Sequence, residues 1–258
     1  MPNKNENQPA MNQYLQQLEA LSRHPSLKVS AEQRPAIVGH ILHHLMRPYF
    51  LTRTPEMQQK FGERQYQAFM QALADYCLRG YVENLEPRLT IEFIKGLHRQ
   101  FYDNAPSVPV KAMDGTMLTT VPGEFKTTPV FIRRHSVPGE WFDTTSPEDV
   151  ARDIALLLEI LHDERIPLLQ RYIRFVVDLI HIHPFPDSNG KVAMLLGDLF
   201  LLMQGIHPPY FAKYKLENEP LVYGLYDGYF LDAQRDISVL YNVVVKAYEG
   251  CGLVHAAE

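Results

Sequence analysis

Apolar residues recur at helical spacing along most of this chain, and no other sequence feature limits its fold as strongly. Residues 11–24 place apolar side chains three or four positions apart, at Met11, Tyr14, Leu15, Leu18 and Leu21. The segments AEQRPAIVGHILHHLMRPYF and RQYQAFMQALADYCLRGY continue this spacing, which is typical of amphipathic α-helices. The chain has no fixed-period repeat, and we predict an all-α bundle.

Breaks in the periodicity divide the chain into three predicted parts. The first, residues 1–88, is an N-terminal helical extension, which ends in the segment ENLEPRLT, where Pro87 interrupts the pattern. Thr90 can cap a new helix, IEFIKGLHRQFYDN. That helix opens a second domain, predicted over residues 89–250, and residues 251–258 form a short C-terminal tail.

Between Ala105 and Phe142 the helical pattern disappears and five prolines occur. The β-prone pieces MLTTV and TPVFIRR in this region predict a β-hairpin or an extended loop. A helix is then predicted to start at Ser146, with Pro147 in its first turn, and to end near His162.

Two long apolar helices are predicted next, with one polar loop between them. The first, LLQRYIRFVVDLIHI, follows Pro167, and the second begins at Gly190 or Lys191. The string HPFPDSNG joins them. Any chemistry carried by that string would therefore lie at the start of a buried helix.

Composition excludes several classes of partner. The 258 residues are 46% hydrophobic and 21% charged, as in ordinary globular domains. A net charge of −5 provides no field that would collect nucleic acid or an anionic membrane, so we expect neither as a partner. Cys77 and Cys251 have no CxxC spacing and are expected to be thiols in the cytoplasm. The polar start MPNKNENQPA has no apolar signal core, which leaves only leaderless secretion open as a route of export.

The loop HPFPDSNGK, residues 183–191, concentrates groups that suit phosphate chemistry. A neutral His183 can accept a proton from a hydroxyl, Asp187 can hold Mg²⁺, and Lys191 can neutralise phosphate charge. Ser188, Asn189 and Gly190 are small, so backbone N–H groups at the helix start can surround an anion. These groups predict phosphoryl or nucleotidyl transfer. The alternative is an ordinary turn-rich connection, because turns favour the same residue types.

The string HPFPDSNGKVAM resembles the signature of the Fic (filamentation induced by cyclic AMP) family, His-x-Phe-x-Asp/Glu-Gly-Asn-Gly-Arg-x-x-Arg. The matching positions are His183, Phe185, Asp187, Asn189 and Gly190. LTIEFIKGLHRQFY resembles the opening helix of the family, GEFK at Gly123–Lys126 its Gly-x-Tyr/Phe-Arg element, and SPEDVARDIALLLEIL the helix after its flap. The resemblance implies a Fic-type helical bundle with a small β-hairpin flap.

The resemblance also implies an activity, the transfer of AMP from ATP, with Mg²⁺, to a hydroxyl side chain of a target protein. His183 would be the general base, Asp187 the metal ligand and Phe185 a structural anchor. The residues expected to bind the nucleotide phosphates are Ser188, Asn189, Gly190 and Lys191. The residues expected to form the target-docking flap are Thr128, Pro129, Val130, Phe131 and Ile132. The flap segment could equally be a plain surface hairpin.

Three departures from the family pattern leave the transferred group open. Ser188 replaces a glycine, a mild change only if the backbone there does not need a positive φ. Lys191 and Met194 replace arginines, and the second of these arginines grips the terminal phosphates of ATP in the family. Alternatives are therefore a Fic-fold transferase that uses another donor, giving phosphocholine, UMP or phosphate transfer, or a degenerate member that only binds nucleotide.

Other clusters offer weaker hypotheses. His40 and His44 lie one helical turn apart and could hold a metal ion, but no carboxylate or cysteine accompanies them. Glu249 in VKAYEG is the nearest match to the inhibitory glutamate of the family, but a solvated charge before a glycine is the favoured interpretation. A tyrosine series could line a nucleobase pocket or simply pack helices, at Tyr210, Tyr214, Tyr223, Tyr226 and Tyr229. The oligomeric state is open, with a homodimer as one option.

Overall fold

The computed structural model describes residues 8–51, 63–82, 89–111, 115–134, 137, 139–218, 222, 238–250 and 252–253. Helices dominate these ranges, which confirms the predicted class. They are α1 (Gln8–Ser22), α2 (Arg34–Leu51), α3 (Glu63–Cys77), α4 (Ile91–Gln100), α5 (Val150–His162), α6 (Leu168–Ile182), α7 (Asn189–Met203), α8 (Phe211–Glu217) and α9 (Ser238–Gly250). Short 3₁₀ turns lie at Pro25–Leu27, Ala31–Gln33 and Pro147–Asp149, and a π-helical turn at Leu78–Val82 continues α3.

Two short antiparallel hairpins, where one was predicted, lie between α4 and α5. Strand β1 (Val108–Lys111) pairs with β2 (Met117–Thr120), and β3 (Phe131–Arg133) pairs with β4 (Trp141–Asp143). In the second hairpin Phe131 lies opposite Asp143 and Ile132 opposite Phe142. Prolines supply no N–H to a ladder, which is consistent with strands this short in a proline-rich segment.

Helix α7 lies at the centre of the core. It is buried on all sides, from Val192 to Leu202, as expected for a helix that is apolar around its whole circumference. Helices α2, α4, α6 and α8 all pack against it. At the crossing with α6, Gly197 leaves no room for a Cβ atom, which would lie 2.9 Å from Cε2 of Tyr172. The two helices that bracket the polar loop are therefore held close together.

The predicted helix ends agree with the structure to within a residue or two at most sites. The Oγ1 atom of Thr90 accepts a hydrogen bond from the N–H of Phe93 at 3.1 Å, which confirms the predicted cap of α4. Helix α6 starts directly after Pro167. At the start of α5, the Ser146 hydroxyl donates to the Asp149 carboxylate at 2.8 Å instead of capping backbone N–H groups.

The described part of the N-terminal region packs onto the same core. Helix α1 contacts α6 and α9, and α2 contacts α7 and α8. Lys28 forms an isolated antiparallel bridge with Ile206, and the Ser26 hydroxyl donates to the carbonyl of Leu253 at 2.5 Å. The predicted boundary at residue 88 lies outside the described residues, as does most of the predicted tail.

None of the helices in the described ranges combines the length and hydropathy that a bilayer crossing needs. Cys77 is a free, buried thiol whose pKa is raised to about 12 by burial, so it is protonated and unreactive near neutral pH. Cys251 lies outside the described residues.

Candidate active site

The polar loop between α6 and α7 begins with a left-handed residue. His183 has φ +52° and ψ +59°, and its N–H donates to the carbonyl of Leu179 at 3.1 Å. A left-handed residue at this position ends a helix and redirects the chain. His183 is therefore placed at the point where the chain leaves α6, next to the start of α7.

The protonation state of the His183 imidazole follows from its contacts. Nδ1 lies 3.1 Å from the carbonyl oxygen of Ile180. A carbonyl can only accept, so Nδ1 carries the hydrogen and Nε2 keeps its lone pair. Burial, with a smaller contribution from the charge of Lys126, lowers the pKa of His183 to about 4. The ring is neutral near neutral pH and can accept a proton at Nε2.

Asn189 shapes the loop through its side-chain amide. Its Oδ1 accepts from the N–H of Phe185 at 2.8 Å, and its Nδ2 donates to the carbonyl of Phe185 at 2.7 Å. Phe185 itself is fully buried and stacks on the ring of His98 with centroids 3.9 Å apart. The Asn189 side chain is thus engaged with protein backbone, so any phosphate contact of this residue is expected to come from its own N–H.

His98 supports the loop from α4, and the sequence analysis did not single it out. Its Nδ1 accepts from the N–H of Gly123 at 2.8 Å, which leaves Nε2–H to donate to the carbonyl of Asp187 at 3.3 Å. Burial lowers the pKa of His98 to about 4, so the ring stays neutral. A histidine on the apolar face of α4 was the only sequence signal for this role, and 89 residues separate it from Asp187.

Asp187 and Ser188 share one partner, the hydroxyl of Tyr102. Tyr102 donates to Oδ2 of Asp187 at 2.9 Å, and its oxygen lies 3.0 Å from Oγ of Ser188. Burial raises the pKa of Tyr102, so the phenol remains a donor. The carboxylate of Asp187 is held in one orientation although its residue is exposed.

The condition under which Ser188 would be a mild replacement for glycine does not hold. Ser188 adopts φ +63° and ψ +9°, in the left-handed region that costs L-residues about 1 to 2 kcal/mol. Its hydroxyl points to Tyr102 and makes no side-chain cap at the start of α7. The substitution therefore brings backbone strain and leaves the first N–H groups of α7 without a cap from this residue.

The start of α7 provides donors with open space beside them. The first N–H groups of a helix have no intrahelical acceptor, and a Cβ atom added at Gly190 would meet nothing within 4 Å. The ammonium of Lys191 lies 6.0 Å from the ring centroid of Phe101. Met194, which stands where the family has an arginine, is 2% exposed and packs in the core. An anion can approach this helix end, but position 194 offers it no charge.

The residues at this site could hold a magnesium ion only if substrate phosphates and water completed its coordination. No group of three or more His, Cys, Asp or Glu side chains in the described ranges could hold a metal ion, His40 and His44 included. Mg²⁺ commonly binds one or two carboxylates and completes its shell with substrate phosphates and water. The exposed, oriented carboxylate of Asp187, beside the start of α7, fits that pattern.

The residues predicted to form the flap lie at the second hairpin, to which we refer as the flap. Phe131 and Ile132 lie in β3, while Thr128, Pro129 and Val130 form the extended segment that leads into it. The carbonyl of Val130 accepts from the Thr144 hydroxyl at 2.5 Å, which joins the two ends of the hairpin. The outward side chains include Phe131, 47% exposed, and Trp141, 42% exposed.

Lys126 lies between this flap and the loop that joins α6 to α7. It is 2% exposed, and its ammonium donates to Oγ1 of Thr144 at 2.6 Å and to the carbonyl of Ile182 at 3.1 Å. Its backbone N–H donates to the carbonyl of Pro184 at 2.8 Å. The GEFK motif, matched above only as a sequence element, therefore contacts both neighbours of His183.

Solved structures with the same architecture are Fic proteins. Fic-1 from Caenorhabditis elegans superposes with a TM-score of 0.59 at 20% identity, covering 94% of this chain and 70% of that chain. A Fic family protein from Desulfovibrio desulfuricans G20 gives a TM-score of 0.59 at 16% identity, covering 97% and 75%. IbpAFic2, crystallised covalently tethered to Cdc42, gives 0.56 at 16% identity, covering 92% and 69%. The fold is that of Fic-domain proteins.

Sequence comparison agrees with this class. The model of the Fic/DOC family matches residues 88–201, so this segment of the chain is similar to Fic/DOC domains. Protein adenylyltransferase fic-1 from C. elegans is 29% identical over 123 residues, which are 46% of this chain and 20% of that protein. Protein adenylyltransferase Fic from Nematostella vectensis is 30% identical over 128 residues, 46% of this chain and 24% of that protein. The match therefore spans a quarter or less of these curated relatives.

Two further sequence hypotheses concern Glu249 and the tyrosine series, of which only some members lie in the described residues. Glu249 is exposed in the last turn of α9, and its carboxylate raises the pKa of Tyr214 nearby, although burial of the phenol is the larger cause. Tyr210 lies among the rings of His40, His44 and His207. Tyr223, Tyr226 and Tyr229 lie outside the described residues, so the nucleobase pocket stays a hypothesis.

Proposed function

We propose that this protein is an adenylyltransferase that transfers AMP from ATP to a hydroxyl side chain of a target protein. The observation that carries the proposal is the neutral His183, whose unprotonated Nε2 belongs to a loop that leads into the start of α7. Relatives named protein adenylyltransferases support it. Because the match covers only part of those proteins, their activity is extended to this chain as a proposal.

In the proposed reaction the target hydroxyl oxygen attacks the α-phosphorus of ATP. Nε2 of His183 accepts the hydroxyl proton as the new O–P bond forms, and the bond to the β,γ-pyrophosphate breaks, with pyrophosphate leaving. The N–H groups of Ser188, Asn189 and Gly190 stabilise negative charge on the phosphate oxygens. Asp187 would hold Mg²⁺, which would neutralise phosphate charge when bound.

In this proposal the flap binds the second substrate, the target protein. Strand β3 pairs only with β4 among the described residues, so its other edge can accept an extended segment of the target by backbone hydrogen bonds. The exposed ring of Phe131 adds apolar contact area at that edge. The structure of IbpAFic2 tethered to Cdc42 shows that one protein of this fold engages another protein.

A different donor is the second candidate, and the burial of Met194 favours it. When AMP is transferred from ATP, the site must also hold the β- and γ-phosphates. The buried thioether of Met194 offers these phosphates neither a charge nor a hydrogen-bond donor. Donors of UMP or phosphocholine, or the transfer of the γ-phosphate, remain compatible with the same His183 and helix start. A member that binds nucleotide without turnover is the remaining alternative.

A labelling experiment separates these outcomes. The full chain is incubated with cell lysate and ATP labelled either at the α or at the γ phosphorus, with UTP and CDP-choline labelled in parallel. We expect protein-bound label from α-labelled ATP alone, its loss in His183→Ala, and its retention in His40→Ala, an exposed histidine on α2. Label from γ-labelled ATP, UTP or CDP-choline would assign the other transfer reactions. Equal labelling by the wild type and His183→Ala would overturn the role of the base.

A further inference from the structure

We propose that Lys126 is a positioning residue that holds the flap and the catalytic base in register, so that the docked hydroxyl meets Nε2 of His183. This inference rests on the proposed function and extends it to a residue outside the loop motif. Three contacts of one buried side chain and its backbone carry the inference.

The first set of contacts fixes the base. Lys126 bonds to the residues on both sides of His183: its ammonium donates to the carbonyl of Ile182 at 3.1 Å and its N–H donates to the carbonyl of Pro184 at 2.8 Å. His183 holds a left-handed conformation that costs free energy. Such a conformation persists only where its surroundings determine it, and Lys126 bonds to the carbonyl oxygens of both neighbouring residues, Ile182 and Pro184.

The second set of contacts fixes the flap. The same ammonium donates to Oγ1 of Thr144 at 2.6 Å, and the Thr144 hydroxyl donates in turn to the carbonyl of Val130 at 2.5 Å. Val130 precedes β3 and Thr144 follows β4, so this pair closes the base of the hairpin. A continuous chain of hydrogen bonds therefore runs from the flap, through one ammonium group, to the backbone beside the base.

Burial makes this connection rigid. Lys126 is 2% exposed, and none of the ion pairs in the described part of the chain includes it. Its positive charge is stabilised by hydrogen bonds to the neutral oxygens of Thr144 and Ile182. Removing either hydrogen bond should be costly, because a buried charge that loses a partner is strongly destabilised. A buried side chain that served only to fill space would not need a charge.

The geometry has a consequence for catalysis. The flap docks the acceptor segment and His183 removes its proton, so their relative position sets how often a hydroxyl lies in reach of Nε2. Displacement of about 1 Å between reacting groups costs about 100-fold in rate. Loss of the Lys126 contacts should therefore lower kcat for transfer and leave the apparent KM for ATP nearly unchanged, because the start of α7 is untouched.

Hydrogen exchange and NMR on the full chain test the connection without any substrate. Lys126→Met removes the ammonium and keeps the stem, Lys126→Arg restores a cation, and Lys95→Met is the matched control, a lysine of α4 that pairs with Glu124 in the same GEFK turn. We expect Lys126→Met to lose at least about 10-fold of amide protection both in β3 and β4 and in residues 183–189. The imidazole pKa of His183 should rise, because a nearby positive charge is removed. Lys126→Arg and Lys95→Met should keep wild-type values.

Two results would overturn the inference: unchanged protection in Lys126→Met, or loss of protection in only one of the two segments. If Lys126→Met fails to fold, Thr144→Val is the second variant. It removes the link to Val130 and keeps the bond to Ile182, so the flap should lose protection while residues 183–189 keep theirs, and equal loss or no loss in both would contradict the connection.

The labelling assay then separates this inference from the proposed function. With wild-type labelling established, Lys126→Met should reduce the labelling rate at saturating ATP by about 10- to 100-fold and shift the apparent KM for ATP by less than about twofold. A rise in KM with unchanged maximal rate would assign Lys126 to nucleotide binding instead. If the wild type labels no protein, the proposed function fails, while the exchange and NMR results still decide whether Lys126 joins flap and base.

Discussion

Two residues of the loop between α6 and α7, His183 and Ser188, hold backbone conformations that L-amino acids avoid. Both have a positive φ, at +52° and +63°. At His183 the conformation turns the chain at the end of α6, and at Ser188 it turns the chain into α7. Glycine would be free of strain at Ser188, so the serine implies a compensating contact, and its hydroxyl does lie 3.0 Å from that of Tyr102.

The strain at Ser188 can be measured by comparing two variants. Ser188→Ala removes the hydroxyl and keeps the left-handed penalty, whereas Ser188→Gly removes both. We expect the glycine variant to be more stable than the alanine variant by about 1 kcal/mol, measured by urea unfolding. Equal stability would show that the left-handed conformation is lost or carries no strain in solution.

Gly190 allows a test of anion binding that does not depend on folding. A Cβ atom there meets nothing within 4 Å, and alanine favours helices over glycine by up to about 1 kcal/mol. Gly190→Ala should therefore be as stable as the wild type or more so, yet it should bind ATP about 10-fold more weakly, because the methyl group occupies the approach to the first N–H groups of α7. Calorimetric titration with ATP and Mg²⁺ checks this, and unchanged affinity would place the phosphates elsewhere.

At the scale of the helices and strands, the crossing of α6 and α7 fixes how far apart the two ends of the loop lie. Gly197 allows the close approach, because a Cβ atom there would clash with Val176 and Tyr172 of α6. The spacing of these helices is therefore set by one residue that lies in the core, seven positions beyond Gly190.

Gly197→Ala should destabilise the protein by about 1 to 3 kcal/mol, as overpacking of a core does. Gly39→Ala in α2 is the matched control, since a Cβ atom there has nothing within 4 Å and a helical glycine replaced by alanine gains up to about 1 kcal/mol. Thermal unfolding of both variants makes the comparison. A Gly197→Ala protein as stable as the control would mean that the crossing can widen at little cost.

Helices were predictable from sequence to a greater degree than the hairpins or the site contacts. Pro167 and the HPFPDSNG string mark the two ends of α6, and its observed limits, Leu168–Ile182, agree with the prediction. The two hairpins have strands of three or four residues, too short for an alternation pattern to define them. The loop motif indicated His183 and Asp187, but the Tyr102 contact joins residues 85 positions apart, and no local pattern reports such a distance.

At the scale of the whole molecule, stability should depend on pH through buried groups with opposite effects, among them two histidines and an aspartate. Burial lowers the pKa of His98 and His183 from 6.5 to about 4, so the unfolded chain binds more protons between these values and stability rises with pH there. Burial raises the pKa of Asp198 from 3.8 to about 8. The folded chain then binds more protons over that range, so this contribution falls as pH rises.

Above about pH 6.5 the contributions of His98 and His183 are complete, whereas that of Asp198 still changes, as does that of Lys126, whose pKa is lowered to about 8 by burial. Between pH 6.5 and pH 8 the wild type should lose up to about 2 kcal/mol of stability relative to Asp198→Asn, which cannot ionise. Denaturant unfolding at half-unit steps of pH tests this. Parallel curves for the two proteins would show that Asp198 is already ionised in the folded state, with the hydroxyl of Tyr172, 3.3 Å away, among its donors.

The bridge between Lys28 and Ile206 and the bond from Ser26 to Leu253 bear on how the protein can be dissected. A recombinant fragment limited to residues 88–201, the segment that the family model matches, would lack α2 and α8. The apolar surface of α7 against which these helices pack would then be exposed to water. Such a fragment should precipitate where the full chain stays dispersed, and its inactivity would say nothing about catalysis. Deletion mapping of this protein is therefore better replaced by point substitutions.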